Sequence, residues 1–352
     1  MAYSGTVGQT VVSVQQFIDQ GARQAGKLAE ELTVEQVQAS KQALFFILSN
    51  LINQGINYWA IEKKVYGLNM DQYEYLLPVG GNDVLNALYR RMERPTGSVS
   101  ASSGNAALAF DNDVTTSDAQ TSPNGNISIN FGVGNPIYAG SIGILPAVSG
   151  SYTIFLEWSN DGTTWNLLEN TGATTWVSGT WLWYDIDPGV TAPFYRMRET
   201  AGGTLNVAEF YVGNNSTEVT MARLNRDDYT NLPNKNFTAN QPYQYWFNRT
   251  LPQAKITLWP TPSDPFYQMT IWYSRQVMDV GDLSGELELP QYFYQAIQMM
   301  LAHQMGLLLP KVELARIQYL EGQAEKYFQM AEAENRDKSP IYYAPNISVY
   351  TR

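Results

Sequence analysis

The 352 residues carry 22 Lys and Arg against 33 Asp and Glu, a formal net charge of −11, with one histidine and no cysteine. Disulfide frameworks and thiolate metal sites are therefore excluded, and a Ser-His-Asp triad has a single candidate base, His303. Aromatic content of 13%, with 23 Tyr and 9 Trp, favours buried protein interfaces and points to an assembly component.

The charge is unevenly placed. Residues 95–215 hold two basic residues, Arg196 and Arg198, and ten acidic ones, a net −8, while the remainder carries −3. Such a surface repels phosphate backbones and suits calcium or a neutral sugar. No apolar run of about 18 residues occurs, so no membrane span is expected. The opening Met1-Ala2-Tyr3-Ser4-Gly5 lacks the basic and apolar blocks of a signal peptide, so export is not expected.

In chain order, Val14, Phe17, Ile18, Ala22, Ala25, Leu28 and Ala29 recur at helical spacing and predict a helix over 11–31. Thr33-Val34-Glu35-Gln36 reads as a capping box for a second helix. That helix carries Val37, Leu44, Leu48, Leu51 and Ile52 on one face and Phe45, Phe46 and Ile47 on the other, which predicts burial nearly all round, with Gly55 ending it. Short extended pieces follow around Gly80-Gly81-Asn82-Asp83. From residue 95 the composition turns to Gly, Ser, Thr, Asn and Asp. Short alternating runs such as 127–131, 152–158, 194–198 and 207–212 then predict an all-β sandwich. A sandwich brings its ends together, so it can be inserted into a loop of another domain.

Beyond residue 216, Ala254–Trp259 and Tyr267–Tyr273 alternate around a proline-rich loop and read as a β-hairpin. Pro290 and Pro310 each read as opening a helix, to about Leu309 and Asp337. The tail from Pro340 to Tyr350 combines prolines with aromatic and β-branched residues, a stiff extended arm whose apolar surface needs a partner. The fold class is thus α+β: a helical body with a small antiparallel hairpin or sheet (1–94 and 216–352), interrupted by an inserted jelly-roll sandwich (95–215).

Catalytic signals are sparse. Gly132-Val133-Gly134 lacks the rest of a dinucleotide fingerprint. Glycosidase chemistry needs two carboxylates, and Glu157, Asp185, Asp187, Glu199 and Glu209, or Asp279, Asp282, Glu286 and Glu288, offer candidates that spacing does not separate. Trp181 and Trp183 alternate and read as core packing, which leaves Trp176 as the aromatic most suited to stacking on a ligand.

Phe110-Asp111-Asn112-Asp113-Val114-Thr115-Thr116, then Ser159-Asn160-Asp161-Gly162-Thr163-Thr164-Trp165, then Tyr195-Arg196-Met197-Arg198 and Glu209-Phe210-Tyr211-Val212-Gly213 occur in this order. Together they resemble the discoidin-like, galactose-binding jelly-roll family over nearly all of 97–213. The resemblance implies a structural calcium ion held by Asp113, Thr116 and Glu209 with Asp111 nearby, oxygen ligands of the kind calcium takes. It also implies that Trp165 is a core tryptophan. Asp111 and Asp113 capping a tight turn is the alternative reading. Ser117-Asp118-Ala119-Gln120 lacks the aromatic usual in that family.

The flanking halves resemble the head-to-tail adaptor (connector, or tail tubular) proteins of short-tailed bacteriophages. The elements concerned are Gly21–Gly26, Tyr75–Pro78 to Leu85, Arg223–Tyr229, Pro242–Phe247, Ile256–Pro262 and the paired closing helices. This resemblance implies a non-enzymatic virion protein at the head–tail junction, made in the host cytoplasm. It would form a ring of twelve that joins portal to tail nozzle and lets genomic DNA pass during ejection without sequence-specific binding. Tyr342, Tyr343, Ile347, Val349 and Tyr350 of the terminal arm would meet the portal, and the sandwich would project outward as a decoration that could bind a glycan. The alternatives are a tail-associated glycan or peptidoglycan hydrolase, and a carbohydrate-binding module on a helical oligomerisation scaffold.

Overall fold

The computed structural model describes residues 12–51, 58–92, 96–213 and 218–336. The expected helix end at Gly55 and the five arm residues Tyr342, Tyr343, Ile347, Val349 and Tyr350 lie outside the described residues.

Ser13 starts the first helix, Val14–Ala25, by a reciprocal cap. Its hydroxyl accepts from the Gln16 N–H, and the Gln16 side chain accepts from the Ser13 N–H. Val14, Phe17, Ile18, Ala22 and Ala25 are buried as the spacing requires. The helix stops earlier than expected because Gly26 adopts φ +90°, the left-handed conformation that suits glycine at a helix end. Only a single 3-10 turn, Ala29–Glu31, follows, and Leu28 is exposed.

The capping box at Thr33 forms, with Thr33 N–H donating to Gln36 Oε1 at 3.0 Å and Gln36 N–H to Thr33 Oγ1 at 3.3 Å. It opens the helix Val34–Leu51, which buries Leu44, Leu48 and Leu51. All-round burial does not occur: Phe45 is 39% and Phe46 59% exposed. Ile47 still packs partly against the helical core, while Phe45 and Phe46 keep much of their surface.

Pro290 does precede a helix, Gln291–Leu308. Pro310 does not open the next one. Lys311 turns the chain at φ +60°, and the last helix, Leu314–Glu334, starts only after Glu313. The opening and closing helices share one core in which Phe17, Ile18, Leu44 and Leu48 meet Phe293, Leu301 and Met305. Gly21 permits close approach there, since a Cβ at that position would lie 2.8 Å from Met305 Sδ. Each fully buried side chain of this size contributes roughly 1.5–3 kcal/mol.

The central region contains four larger sheets. In the first, Ile61–Gly67, Tyr267–Arg275, Gly81–Arg91 and Val219–Thr220 lie side by side. In the second the order is Ala222–Leu224, Gln244–Asn248, Lys255–Trp259 and Glu74–Leu76. The expected hairpin is thus absent, because Lys255–Trp259 and Tyr267–Arg275 belong to different sheets. These sheets share a core in which Val84, Met269 and Ile271 pack with Tyr245, Ile256 and Leu258. Both strands are buried on both sides over much of their length, so alternation in sequence did not report a hairpin.

The chain enters the sandwich after Arg91 and returns through Val219–Thr220, which pairs antiparallel with Leu88 and Tyr89 of the entry strand. One sandwich sheet orders Ser98–Ala101, Asn126–Asn130, Phe194–Glu199, Gly150–Ser159 and Asn166–Trp176. The other orders Leu182–Ala192, Ile137–Pro146, Asn206–Gly213 and Asp118–Ala119. Ile127, Ile129, Leu156 and Tyr195 of the first sheet share a core with Ile142, Ile144 and Phe210 of the second.

The chain separates into two compact units, one made of both ends (to Ile61 and from Arg275), the other Glu62–Ser274. The two small sheets group with the sandwich because Met92, Leu145, Trp181, Ala208 and Tyr211 form a buried cluster at their seam, with Phe266 packed against it. Trp181 pins this seam: its N–H donates to Asn69 Oδ1 at 3.1 Å and its indole N–H to the Pro265 carbonyl at 2.9 Å.

Candidate functional site

The loop 111–116 folds on itself. Asn112 takes φ +60°, a conformation asparagine tolerates, and Asp111 Oδ1 accepts from the Asp113 N–H at 2.9 Å. The Thr116 hydroxyl lies 2.8 Å from Asp111 Oδ2 and 3.0 Å from the Asp113 carbonyl oxygen, able to donate to either. Against this loop stands Glu209, on a strand buried along both faces and itself only 3% exposed. Burial, and then the Asp111 carboxylate beside it, push the Glu209 carboxyl up to about 8, while hydrogen bonds from the backbone N–H groups of Asp113 and Asn112 partly offset this. Glu209 Oε1 is buried without a hydrogen-bond partner.

Of the four residues expected at a metal, Asp111, Thr116 and Glu209 come together. Asp113 departs from the expectation: its side chain accepts from the Thr115 N–H at 2.9 Å and hydroxyl at 2.6 Å, which hold its carboxyl below the usual range. Asp113 offers the loop its carbonyl oxygen instead. Two carboxylates, a hydroxyl and a carbonyl suit a hard cation, and an orphaned carboxylate oxygen beside a second carboxylate calls for a proton or a positive ion. Among the described residues, no three His, Cys, Asp or Glu side chains are placed to hold a metal.

Trp176 corrects the expectation of a stacking platform. It is 1% exposed, deep in the sandwich core, with its ring 4.3 Å from that of Tyr152. It ends a strand paired with Gly150, and that register turns the ring inward. Trp165 is corrected in the opposite sense. It is half-buried outside the core, with the Arg196 guanidinium 4.0 Å over its ring. The motif that carries it is a turn device. Asp161 Oδ1 accepts from the N–H groups of Thr163 and Thr164, which hold its carboxyl far below the usual range, and Gly162 sits at φ +73°.

Glu157 and Glu199 are held in structural roles. Burial alone would raise Glu157, but Arg198 and Arg196 both donate to it and hold it below the usual range. Glu199 is fully buried and accepts from the N–H groups of Ala201, Gly202 and Gly203, each at 2.8 Å. In the helical unit, Glu288 is ion-paired with Arg275. His303 is half-buried on a wall of a groove of about 1070 Å³ among the helices. Nothing in one-dimensional spacing distinguishes the orphaned Glu209 from these satisfied neighbours. Its position inside an otherwise apolar strand, Val207–Val212, and the closing element Glu209–Gly213 are the sequence signals that point to it.

No protein-family model matches this chain, and no curated protein sequence does. The solved structures it resembles include β-sandwich carbohydrate-binding modules. One is chitosan-binding module 1 of a chitosanase/glucanase from Paenibacillus sp. IK-5, 22% identical, covering 36% of this chain and 100% of the module, with a TM-score of 0.30. Another is the family 32 carbohydrate-binding module of NanJ from Clostridium perfringens, solved with galactose, 20% identical over 35% of this chain and 98% of the module, TM-score 0.30. A third is a family 32 module of AlyQ, solved with 4,5-unsaturated mannuronic acid, 10% identical over 38% of this chain and 98% of the module, TM-score 0.29.

Proposed function

We propose that this chain is a non-catalytic glycan-binding protein, with a saccharide-binding sandwich carried on a helical platform. The observation that carries the reading is the loop 111–116 closed on Glu209, whose Oε1 is buried without a hydrogen-bond partner, within a two-sheet fold whose sequence elements resemble the galactose-binding jelly rolls. On this reading Asp111, Thr116, Glu209 and the Asp113 carbonyl hold a calcium ion. The ion neutralises two facing carboxylates and stiffens the loop. Calorimetry of the full chain against a panel of short neutral and acidic oligosaccharides, with calcium present, tests it. A saturable saccharide isotherm is the expected result; heats of dilution alone across the panel overturn it.

A second reading, the head–tail connector of a short-tailed phage, is favoured by the apolar surface of the helical unit. Phe46, Leu307, Leu314, Tyr319 and Met330 are all exposed on its helices, and such surface calls for a partner. Negative-stain images of the purified chain with a portal protein decide it: twelve-fold rings support a connector, and monomers count against one. Release of sugar from peptidoglycan or glycan by the purified chain would instead reveal a hydrolase.

A further inference from the structure

We propose that the saccharide site is the cleft at the seam between the sandwich and the small sheets, an assignment that rests on the glycan-binding reading above. The cleft encloses about 590 Å³, within the range of small-ligand pockets, and all of its lining belongs to the unit Glu62–Ser274.

Its walls are aromatic pairs. From the sandwich come Trp181 and Trp183, edge to face at 6.1 Å; from the small sheets come Tyr66 and Tyr75, edge to face at 5.8 Å. Glycine makes the floor possible, since a Cβ at Gly67 would lie 2.5 Å from Trp181 Cβ. Trp181 and Tyr75 are buried and back the cleft, while the half-buried Trp183 and Tyr66 are the rings with surface left to meet the C–H faces of a sugar without hydrogen bonds.

The rim is polar and held in place. Asn69 Oδ1 accepts from the Trp181 N–H, Asn69 Nδ2 donates to Gln72 Oε1 at 2.6 Å, and Gln72 Nε2 donates to the Glu74 carbonyl at 2.9 Å. Lys255 Nζ stands 3.2 Å from Glu74 Oε2, and Lys64 adds a second ammonium. The Tyr66 hydroxyl donates to the Leu76 carbonyl at 2.9 Å, which leaves its oxygen able to accept. The rim thus sets ammonium donors beside hydroxyl and carboxylate acceptors, above apolar ring surface. That combination matches a short saccharide of one or two rings, amphipathic by face and edge. It matches neither a purely apolar ligand nor a polyanion, because Glu74 lies among the lysines.

Three variants of the full chain test the site: Trp183→Ala removes a wall, Leu76→Trp fills the mouth from a position 52% exposed, and Lys64→Glu reverses a rim charge. Each is checked for native near-ultraviolet circular dichroism, and Lys64→Glu, at an exposed position, should keep the native spectrum. Titration with the tightest saccharide of the panel should show at least a tenfold loss of affinity in all three. Unchanged affinity in folded Leu76→Trp and Lys64→Glu proteins overturns this site and leaves the glycan-binding reading standing. Absence of any saccharide binding by the wild-type chain overturns both.

Discussion

Glu157 and Glu209 show how burial can be resolved in opposite ways. Glu157 is buried but satisfied by two guanidiniums, and its carboxyl is held below the usual range. A depressed carboxylate adds stability above its unfolded value near 4.5, and that stability is lost as pH falls through the lower folded value. Glu157→Gln should therefore cost about 2 kcal/mol at neutral pH, toward the lower end for charged hydrogen bonds because Arg198 is partly exposed. It should also flatten the loss of melting temperature between pH 5 and 3 that the wild type shows, read by circular dichroism. An unchanged acid profile would mean that the pair is idle.

Glu209 is buried beside Asp111 with its Oε1 left without a hydrogen-bond partner. Calcium should raise the melting temperature, by the equivalent of about 2.7 kcal/mol at a hundredfold excess over Kd. Glu209→Gln should leave the calcium-free protein no less stable and abolish that response. A wild-type melting temperature indifferent to calcium and to chelator would remove the ion from the loop.

At the scale of elements, Trp181 ties the sandwich to the small sheets. Trp181 fills the seam cluster and makes two hydrogen bonds across it. Trp181→Ala should cost about 3–5 kcal/mol, the range for large aromatic truncations. It should also make the backbone around Asn69 and Pro265 exchange amide protons faster, while the sandwich core around Tyr195 keeps its protection. Uniform loss of protection would show that the seam and the sandwich unfold as one. Gly143 belongs to the same device, because a Cβ there would lie 2.2 Å from the Trp183 ring.

At the scale of the whole molecule, the two sandwich ends hang from neighbouring paired strands, so the module is closed by its own sheets. Residues 96–213 expressed alone should fold, with a cooperative thermal transition and dispersed amide resonances. A molten, non-cooperative product would show that the small sheets complete its core. In the helical unit, Phe46→Glu should shift any self-association seen by light scattering toward smaller species without lowering helix content. Assembly unaffected by that charge would place the contact elsewhere.

The start of the second helix was legible in the sequence because a cap is local: Thr33 needs only the residue three positions on, whereas the Ser13 cap went unread and Pro310 is followed by a turn rather than a helix. The buried stripe Val14–Ala25 and the all-β character of 97–213 were legible because period and turn chemistry are carried by neighbours in the chain. What the sequence left open was decided by partners distant along it. Strand alternation could not say that Lys255–Trp259 and Tyr267–Arg275 join different sheets. Nor could it say that Trp176 turns inward while Trp165 lies under Arg196. The loop 111–116 carries the expected oxygen-bearing residues in order, but only the fold brings Glu209 against Asp111 and turns the Asp113 carboxylate away to Thr115. Local hydrogen bonds and periodicity are properties of adjacent residues, whereas burial, pairing and unmet charge are set by what the tertiary structure places across from them.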